Sequence, residues 1–272
     1  MTLPLLGAAI RRHDLDILRD WIFEPGRAIE IQDFVFPEVI AGDPGDLIAS
    51  YKVALEGHRG RRGIHGPFFG LDLSNPDREI RAVVRKRLLK GLEIVEALGG
   101  SHMVVHSPFT YWHVLNRDNY PTVHDQMVEA MADCLDPVLA RAEDTGCTLM
   151  LENIDDTDPS ARVEAVARID HPNLMVSIDT GHAELAHGRY GAPPVVDFIA
   201  QAGVRLGHVH LQDADGYADR HWHPGEGRIL WPAVFAQIAQ LPKMPRLILE
   251  VRNRLERLPA TVRALEAQGL AR

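Results

Sequence analysis

The chain has 272 residues, of which 46% are hydrophobic and 25% are charged, and this balance excludes a disordered or fibrous protein. Its 38 acidic and 29 basic side chains give a formal charge of −9, so no general attraction to nucleic acids or anionic membranes is expected. No apolar run approaches the roughly 18 residues that span a bilayer. The N-terminal residues lack the basic start of a signal peptide, and we expect a cytoplasmic protein.

Short apolar runs alternate along the chain with helical patterns, which predicts βα units on a parallel sheet. The predicted strands are Leu3–Ala8, Ala28–Ile31, Gly63–His65, His102–His106, Cys147–Glu152, Leu174–Asp179, Leu206–Leu211 and Leu247–Val251. Eight strands in a chain of this length favour a single (β/α)8 TIM barrel over residues 1–272. No Gly-rich nucleotide-binding motif follows any of these strands, which disfavours an open doubly wound sheet.

The clearest helical pattern begins at Asn75, a predicted N-cap followed by Pro76, and continues to Gly99. Similar patterns cover residues 121–145, 193–203, 231–240 and 257–268. Pro137 is expected to bend or interrupt the first of these four. The two cysteines, Cys134 and Cys147, are too few for a disulfide framework or a thiolate zinc site, so we interpret them as packing residues.

Polar residues occupy the ends of six predicted strands. In a (β/α)8 barrel the functional groups collect at the C-terminal ends of the strands, and the two-residue period turns alternate side chains inward. The terminal positions that this pattern brings to the barrel mouth are His65, His106, Glu152, Asp179, His210 and Glu250. His208 lies one layer deeper. Three carboxylates and three imidazoles at one mouth would cost on the order of several kcal/mol without cations. The pattern therefore predicts a divalent-metal site with nitrogen and oxygen ligands, suited to Zn²⁺, Mn²⁺ or Fe²⁺.

Two further segments supply candidate ligands. His182 lies three residues after Asp179, just beyond the strand end. The polar loop 212–227 contains Asp219 and His221, and its glycines allow the backbone to turn tightly over the site. We interpret His223 and Glu226 as loop or supporting residues.

The motifs around these residues resemble the xylose isomerase-like barrel superfamily, which includes sugar phosphate isomerases and epimerases and the endonuclease IV type of apurinic endonuclease. The motifs are His65-Gly-Pro-Phe, Val-Val-His106-Ser-Pro, Leu-Glu152-Asn153, Asp179-Thr-Gly-His182, His208-Val-His210-Leu-Gln-Asp213, Asp219-Arg-His221 with Gly225-Glu-Gly227, and Leu-Glu250. For the isomerases and epimerases, the resemblance implies one divalent ion on Glu152, Asp179, His210 and Glu250, with the two glutamates as acid and base. For the endonucleases it implies three zinc ions held by His65, His106, Glu152, Asp179, His182, His210, Asp219, His221 and Glu250.

The first hypothesis for function is a sugar or sugar-phosphate isomerase or epimerase. A divalent ion, Zn²⁺ or Mn²⁺, would chelate a carbonyl and an adjacent hydroxyl and stabilise an enediolate, while Glu152 and Glu250 remove and return the proton. His182 is expected to bind a substrate hydroxyl, and Arg220 a terminal phosphate or carboxylate. The predicted apolar wall of the pocket includes Phe68, Trp112 and Trp222.

The second hypothesis is phosphoester hydrolysis by an endonuclease IV-like trinuclear zinc site, since all nine ligand positions are matched. A DNA substrate requires basic residues around the mouth, yet the loop 66–75 has no Lys or Arg. The basic run 58–62 precedes its strand and so faces the opposite end, and we expect a small-molecule substrate rather than nucleic acid. A metal-dependent lyase, dehydratase or oxygenase on the same barrel stays open, as does a homo-oligomer.

Overall fold

The computed structural model describes residues 3–272, and its centre is a closed barrel of parallel strands. Within those residues, strands β1–β8 are Gly7–Ile10, Ile29–Ile31, Arg62–His65, His102–His106, Thr148–Glu152, Leu174–Asp179, Leu206–Leu211 and Arg246–Leu249. Each strand pairs in parallel with the next, and β8 pairs back with β1. The predicted (β/α)8 TIM barrel is confirmed.

Helices follow the strands and cover the outside of the barrel. Within residues 3–272, helices α1–α11 are Arg12–Phe23, Pro37–Ala41, Gly45–Ala54, Arg78–Ala97, Tyr111–Leu115, Val123–Thr145, Pro159–Ile169, Thr180–Tyr190, Val195–Ala202, Trp231–Ala239 and Leu258–Ala267. The apolar core lies between this helical layer and the strands, and both cysteines are buried in it as free thiols. None of the helices in this part of the chain combines the length and the apolar character needed to cross a membrane.

The first and last strands differ from their predicted bounds. The prediction of Leu3–Ala8 is wrong for β1, which is Gly7–Ile10. Pro4 has no backbone N–H to donate to a neighbouring strand, and its carbonyl accepts a 3.0 Å bond from the backbone N–H of Arg272 instead. At the other end of the chain, β8 stops at Leu249, so Glu250 lies one residue beyond the strand. Its backbone N–H still donates to Leu211 of β7 at 3.1 Å, which keeps this carboxylate at the mouth.

Two helix predictions also need correction. Asp77, and not Asn75, caps α4, because its side chain accepts the bond from the Glu79 backbone N–H at 2.8 Å. Pro137 lies inside α6 without interrupting it. The carbonyl that Pro137 leaves unpaired belongs to Asp133, and Arg85 of the neighbouring α4 donates to it at 2.9 Å.

Candidate metal centre

The C-terminal ends of β5 to β8 place four polar side chains around one point of the barrel axis. We name Glu152, Asp179, His210 and Glu250 the central group. One ligand atom from each lies within 4.8 Å of the others, and all four residues are buried. Nδ1 of His210 is hydrogen-bonded to Glu152 and lies 3.4 Å from Glu250 and 3.9 Å from Asp179. One imidazole nitrogen therefore faces three carboxylates.

The charges of the central group do not balance. Burial alone would lower the pKa of His210, but the carboxylates of Glu250, Glu30 and Glu152 outweigh burial and raise that pKa well above its usual value. Burial raises the pKa of Asp179 to about 6, and the charges of Glu152 and Glu250 act in the same direction. Taken by itself, the central group therefore sets one imidazole against three carboxylates.

Two carboxylate oxygens of the central group are buried without a hydrogen bond from any group of residues 3–272. They are Oε2 of Glu152 and Oδ2 of Asp179. An unpartnered buried acceptor costs about 1–3 kcal/mol, and more when it is charged. A divalent cation removes that cost, and three carboxylates with one imidazole form a donor set that suits Zn²⁺ or Mn²⁺. The residues therefore fit such an ion.

A second set of potential ligands shares Glu152 with the central group. We name His65, His106 and Glu152 the His65–His106 group. The Nε2 atoms of both histidines lie 3.5 Å from Oε2 of Glu152 and 3.3 Å from each other. Burial lowers the pKa of His106 to about 3, so its ring is neutral near pH 7 and offers a lone pair. Phe68 stacks on His106 with 4.2 Å between ring centroids and covers this side of the site.

A third set lies beyond the strand ends. Asp219 and His221 belong to the loop after β7, and His182 is in the first turn of α8. We name His182, Asp219 and His221 the loop group. Nε2 of His221 lies 3.1 Å from one carboxylate oxygen of Asp219, and Nε2 of His182 lies 3.5 Å from the other. The Asp219 side chain is 43% exposed. His221 adopts a left-handed backbone with φ of 48°, which costs a non-glycine residue about 1–3 kcal/mol. Its backbone N–H donates to Gln212 at 2.8 Å, which holds this conformation.

Three of the candidate histidine ligands have the same orientation. Each donates its Nδ1–H to a backbone carbonyl, at 2.9, 2.9 and 3.0 Å for the pairs His65 to Gly66, His182 to Asn153 and His221 to Glu250. A carbonyl can only accept, so this bond fixes the proton on Nδ1 and turns Nε2 toward the site. That arrangement is typical of histidines that bind metals.

Glu30 is a site residue that the sequence reasoning missed. It is fully buried on β2, where its Oε1 accepts a 2.8 Å bond from Nε2 of His210. Its Oε2 lies 3.1 Å from the rings of both His102 and His208, and Gln32 donates to Oε1 at 3.1 Å. His208 thus lies one layer below the mouth, as its position in β7 predicted. A glutamate between Ile29 and Ile31 was the available signal, because the two-residue period points it into the barrel.

Two amides join the site to its surroundings. Asn153 bonds the backbone of Asp179 twice, accepting its N–H at 2.8 Å and donating to its carbonyl at 3.0 Å. Gln212 donates to Asp179 at 3.1 Å and to Asp219 at 3.0 Å, so it connects the central group with the loop group. These bonds position the carboxylates before any ligand arrives.

The predicted substrate-binding residues do not all lie next to the candidate ligands. His182 lies in the loop group and Phe68 against the two histidines described above. The Arg220 guanidinium makes two bonds to one carboxylate oxygen of Asp215, at 2.8 and 3.0 Å, and lies 5.2 Å from the centroid of the Trp222 ring. Trp112 is exposed on α5 beside Tyr120, and no ring contact or hydrogen bond among residues 3–272 joins it to the candidate ligands.

The fold and the site together define a class: a (β/α)8 barrel with adjoining sets of nitrogen and oxygen ligands at its mouth. The sequence also matches the profile of the xylose isomerase-like TIM barrel family over residues 29–268. The chain therefore belongs to that family, as its motifs predicted.

Comparisons with individual proteins agree with this membership. The chain is 26% identical to the TTHB071 protein from Thermus thermophilus, soaked with ZnCl₂, with a TM-score of 0.72 over 97% of this chain and 98% of that one. It is 25% identical to D-psicose 3-epimerase from Ruminiclostridium cellulolyticum over 68% of this chain. An uncharacterised protein from Methanocaldococcus jannaschii is 27% identical over 65% of it. The chain spans 60% and 61% of the lengths of the M. jannaschii protein and the epimerase, respectively.

Proposed function

We propose that the protein is a divalent-metal-dependent isomerase or epimerase of a sugar or sugar phosphate. The observation that carries this proposal is the pairing of Glu152 and Glu250 in the central group, where both are buried and within reach of one ion. The relatives support it, since one is a D-psicose 3-epimerase and another, 28% identical over 105 residues, is a fructoselysine 3-epimerase from Escherichia coli O157:H7.

The central group would hold the ion, as Zn²⁺ or Mn²⁺. When bound, such an ion supplies positive charge beside a carbonyl and its neighbouring hydroxyl, which makes the intervening C–H more acidic. Glu152 and Glu250 would take up that proton and return it on either face of the substrate carbon. Oε1 of Glu250 accepts bonds from Gln32 at 3.0 Å and Arg252 at 3.2 Å, and these donors hold its carboxylate in one orientation.

The surrounding residues would orient the substrate and exclude water. Phe68 covers the His65–His106 group on one side of the mouth. On the other side, the bond from His182 to Asn153 leaves Nε2 of His182 pointed into the site, where it would contact a substrate hydroxyl. Because the His182 ring is held by a backbone carbonyl, little reorganisation of it is needed on binding.

The test is isotope exchange during turnover. The metal-loaded protein is incubated in D₂O with a panel of ketoses and their phosphates, and products are followed by NMR. We expect an epimer or isomer that carries deuterium at the inverted carbon. The variants Glu152→Gln and Glu250→Gln should lose this exchange, while Glu93→Gln, an exposed change on α4, should retain it. Exchange at normal rates in both active-site variants would contradict the proposal.

Phosphoester hydrolysis is the second candidate, favoured by one specific observation. The central group, the His65–His106 group and the loop group adjoin one another and together contain nine potential ligands. Elemental analysis after dialysis against Zn²⁺ separates the two candidates. Close to three tightly held zinc ions, together with cleavage of an abasic DNA duplex or bis(p-nitrophenyl) phosphate, would favour the hydrolase. Close to one tightly held ion per chain without cleavage would favour the isomerase.

A further inference from the structure

A small cavity opens beside the central group, on the side of the barrel formed by β8 and β1. It has a volume of about 190 Å³ and is lined by residues that include Arg11, His13, Asp14, Gln32, Glu250 and Arg252. At ~30 Å³ for each water molecule, it has room for roughly six waters. That is enough for a phosphate or carboxylate group at the end of a small substrate. Glu250 forms part of its wall, so the cavity and the central group share this residue.

Most charged groups around the cavity are already paired. Arg252 donates to Glu250 at 3.2 Å, and His13 lies 3.2 Å from Asp14, whose other carboxylate oxygen accepts the backbone N–H of Arg11. The guanidinium of Arg11 forms no ion pair with any carboxylate of residues 3–272. It lies over the ring of Phe36, 5.1 Å from the centroid. Arg11 therefore brings an uncompensated positive charge to a cavity that adjoins the reaction centre.

The position of Arg11 in the fold suits a binding role. It follows β1 directly, so its backbone is anchored by the barrel, and its half-buried side chain rests on an aromatic face. Phe36 in turn stacks on Phe69, with 6.0 Å between centroids. An arginine packed in this way loses less conformational freedom when it binds an oxyanion, and its planar donors suit phosphate or carboxylate.

The arginine that the sequence analysis assigned to this task has different surroundings. Arg220 is neutralised by Asp215, and both sit on the loop that follows β7. Binding an anion there would require that pair to separate, whereas Arg11 has no such partner to lose.

We propose that the cavity beside Glu250 binds the anionic end of the substrate, a terminal phosphate or carboxylate, and that Arg11 is the residue that contacts it. This inference rests on the proposed function, because it places the reacting carbons at the central group. It narrows the substrate class to sugar phosphates or sugar acids and assigns the specificity to the β1 side of the mouth.

The test compares three ligands of matched carbon number: D-fructose, D-fructose 6-phosphate and D-fructuronate. Their dissociation constants are measured by calorimetry on the metal-loaded protein. We expect at least one of the two anionic ligands to bind about 10- to 100-fold more tightly than D-fructose, the range of a charge-assisted hydrogen-bonded contact. The ligand that shows the larger preference identifies phosphate or carboxylate as the natural end group.

Substitutions assign the preference to a residue. Arg11→Ala should remove most of it, and Arg11→Lys should restore part of it, since lysine keeps the charge but loses the planar donors. Arg12→Ala is the matched control, because it removes the same charge from the neighbouring residue, whose guanidinium is bonded to Ser50 and Asp16. An anion preference that survives Arg11→Ala, or that disappears in Arg220→Ala instead, would overturn the assignment.

The outcomes also separate this inference from the proposed function. Turnover of neutral ketoses with no preference for anionic ligands would refute the anion site and leave the isomerase intact. An Arg11-dependent preference without proton exchange in any sugar would keep the site and refute the isomerase. Thermal unfolding of each variant confirms that the compared proteins are folded.

Discussion

The central group and the loop group contain similar ligands but are held in different ways. The central group is buried at the ends of four adjacent barrel strands, and its histidine is bonded from below by Glu30. The loop group lies beyond the barrel strands, with His182 in the first turn of α8 and Asp219, whose side chain is 43% exposed, on the loop after β7. Its His221 is kept in a left-handed conformation by a bond to Gln212.

The two groups therefore differ in how rigidly the fold holds their side chains. Strand ends fix the central group before any ion or substrate binds, so its ligands lose little conformational entropy on binding. In the loop group, two of the three residues lie on a loop instead of at a strand end, and Asp219 is partly exposed to water. We therefore expect tight ion binding and proton transfer to depend on the central group, and exchangeable binding to depend on the loop group. The following predictions test this contrast.

The largest effect is expected from the shared ligand Glu152. Glu152→Ala removes a potential ligand of two groups together with one of the two carboxylates proposed to transfer the proton, and turnover should fall by about 10²- to 10⁴-fold or more. Steady-state kinetics measures the loss, and circular dichroism should show an intact fold. Glu93→Ala on the exposed face of α4 is the control. Near-normal activity of Glu152→Ala would refute the acid–base assignment.

The scaffold behind the central group depends on a buried arginine of α7. Arg162 donates to the carbonyl of Ser177 at 2.6 Å and to the carboxylate of Asp156 at 2.6 Å, and both of these residues are buried. These two bonds connect β6 with the loop after β5. Arg162→Met leaves the Asp156 carboxylate buried without a counter-charge, and should cost about 3–5 kcal/mol of unfolding free energy in urea denaturation.

An exposed arginine of the same helix provides the control for this stability prediction. Arg168 pairs with Asp125 at 2.6 Å on the surface, where a pair contributes about 0–1 kcal/mol. Arg168→Met should therefore change the unfolding free energy little. A similar cost for both variants would show that the barrel ends do not depend on the buried pair.

A smaller effect is expected for Glu30, the support beneath the central group. Its bond to Nε2 of His210 leaves Nδ1 facing the carboxylates, and losing such a support typically weakens metal binding by about 10- to 100-fold. Glu30→Gln preserves the size of the side chain but removes its charge. Mn²⁺ titration followed by electron paramagnetic resonance measures the affinity, with Glu38→Gln on α2 as an exposed control. Unchanged affinity would assign Glu30 to packing alone.

The sequence predicts the residues whose positions follow from regular alternation. Glu152, Asp179 and His210 lie at or near the ends of strands of five or six residues, so the two-residue period is enough to place them at one mouth. Glu30 lies in the middle of β2 and not at its C-terminal end, so the expectation that functional groups collect at strand ends does not select it. Its link to the site is a bond to Nε2 of His210 across the barrel, which strand alternation alone does not display.

Contacts between distant or irregular segments could not be predicted in the same way. The pairing of Arg220 with Asp215 depends on the path of a loop without periodicity, so its guanidinium could not be placed from the sequence. The continuity of α6 through Pro137 depends on Arg85, which is far away in the chain. Such features are set by tertiary packing, which one sequence does not display.

The smallest effect is expected from Asp219, and it gives the sharpest test of the contrast between the two groups. Because Asp219 is partly exposed and asparagine keeps an oxygen that can accept the Gln212 bond, Asp219→Asn should change the unfolding free energy by no more than about 1 kcal/mol. The tight ion of the central group should bind as before, while the more weakly held ions detected by elemental analysis should decrease. Asp215→Asn, in the same loop but outside the three ligand groups, should leave both classes of ion unchanged. If Asp219→Asn instead weakened the tight ion as strongly as Glu30→Gln, the bridge through Gln212 would make the two groups one cooperative unit, and the separation of rigid and exchangeable sites would be wrong.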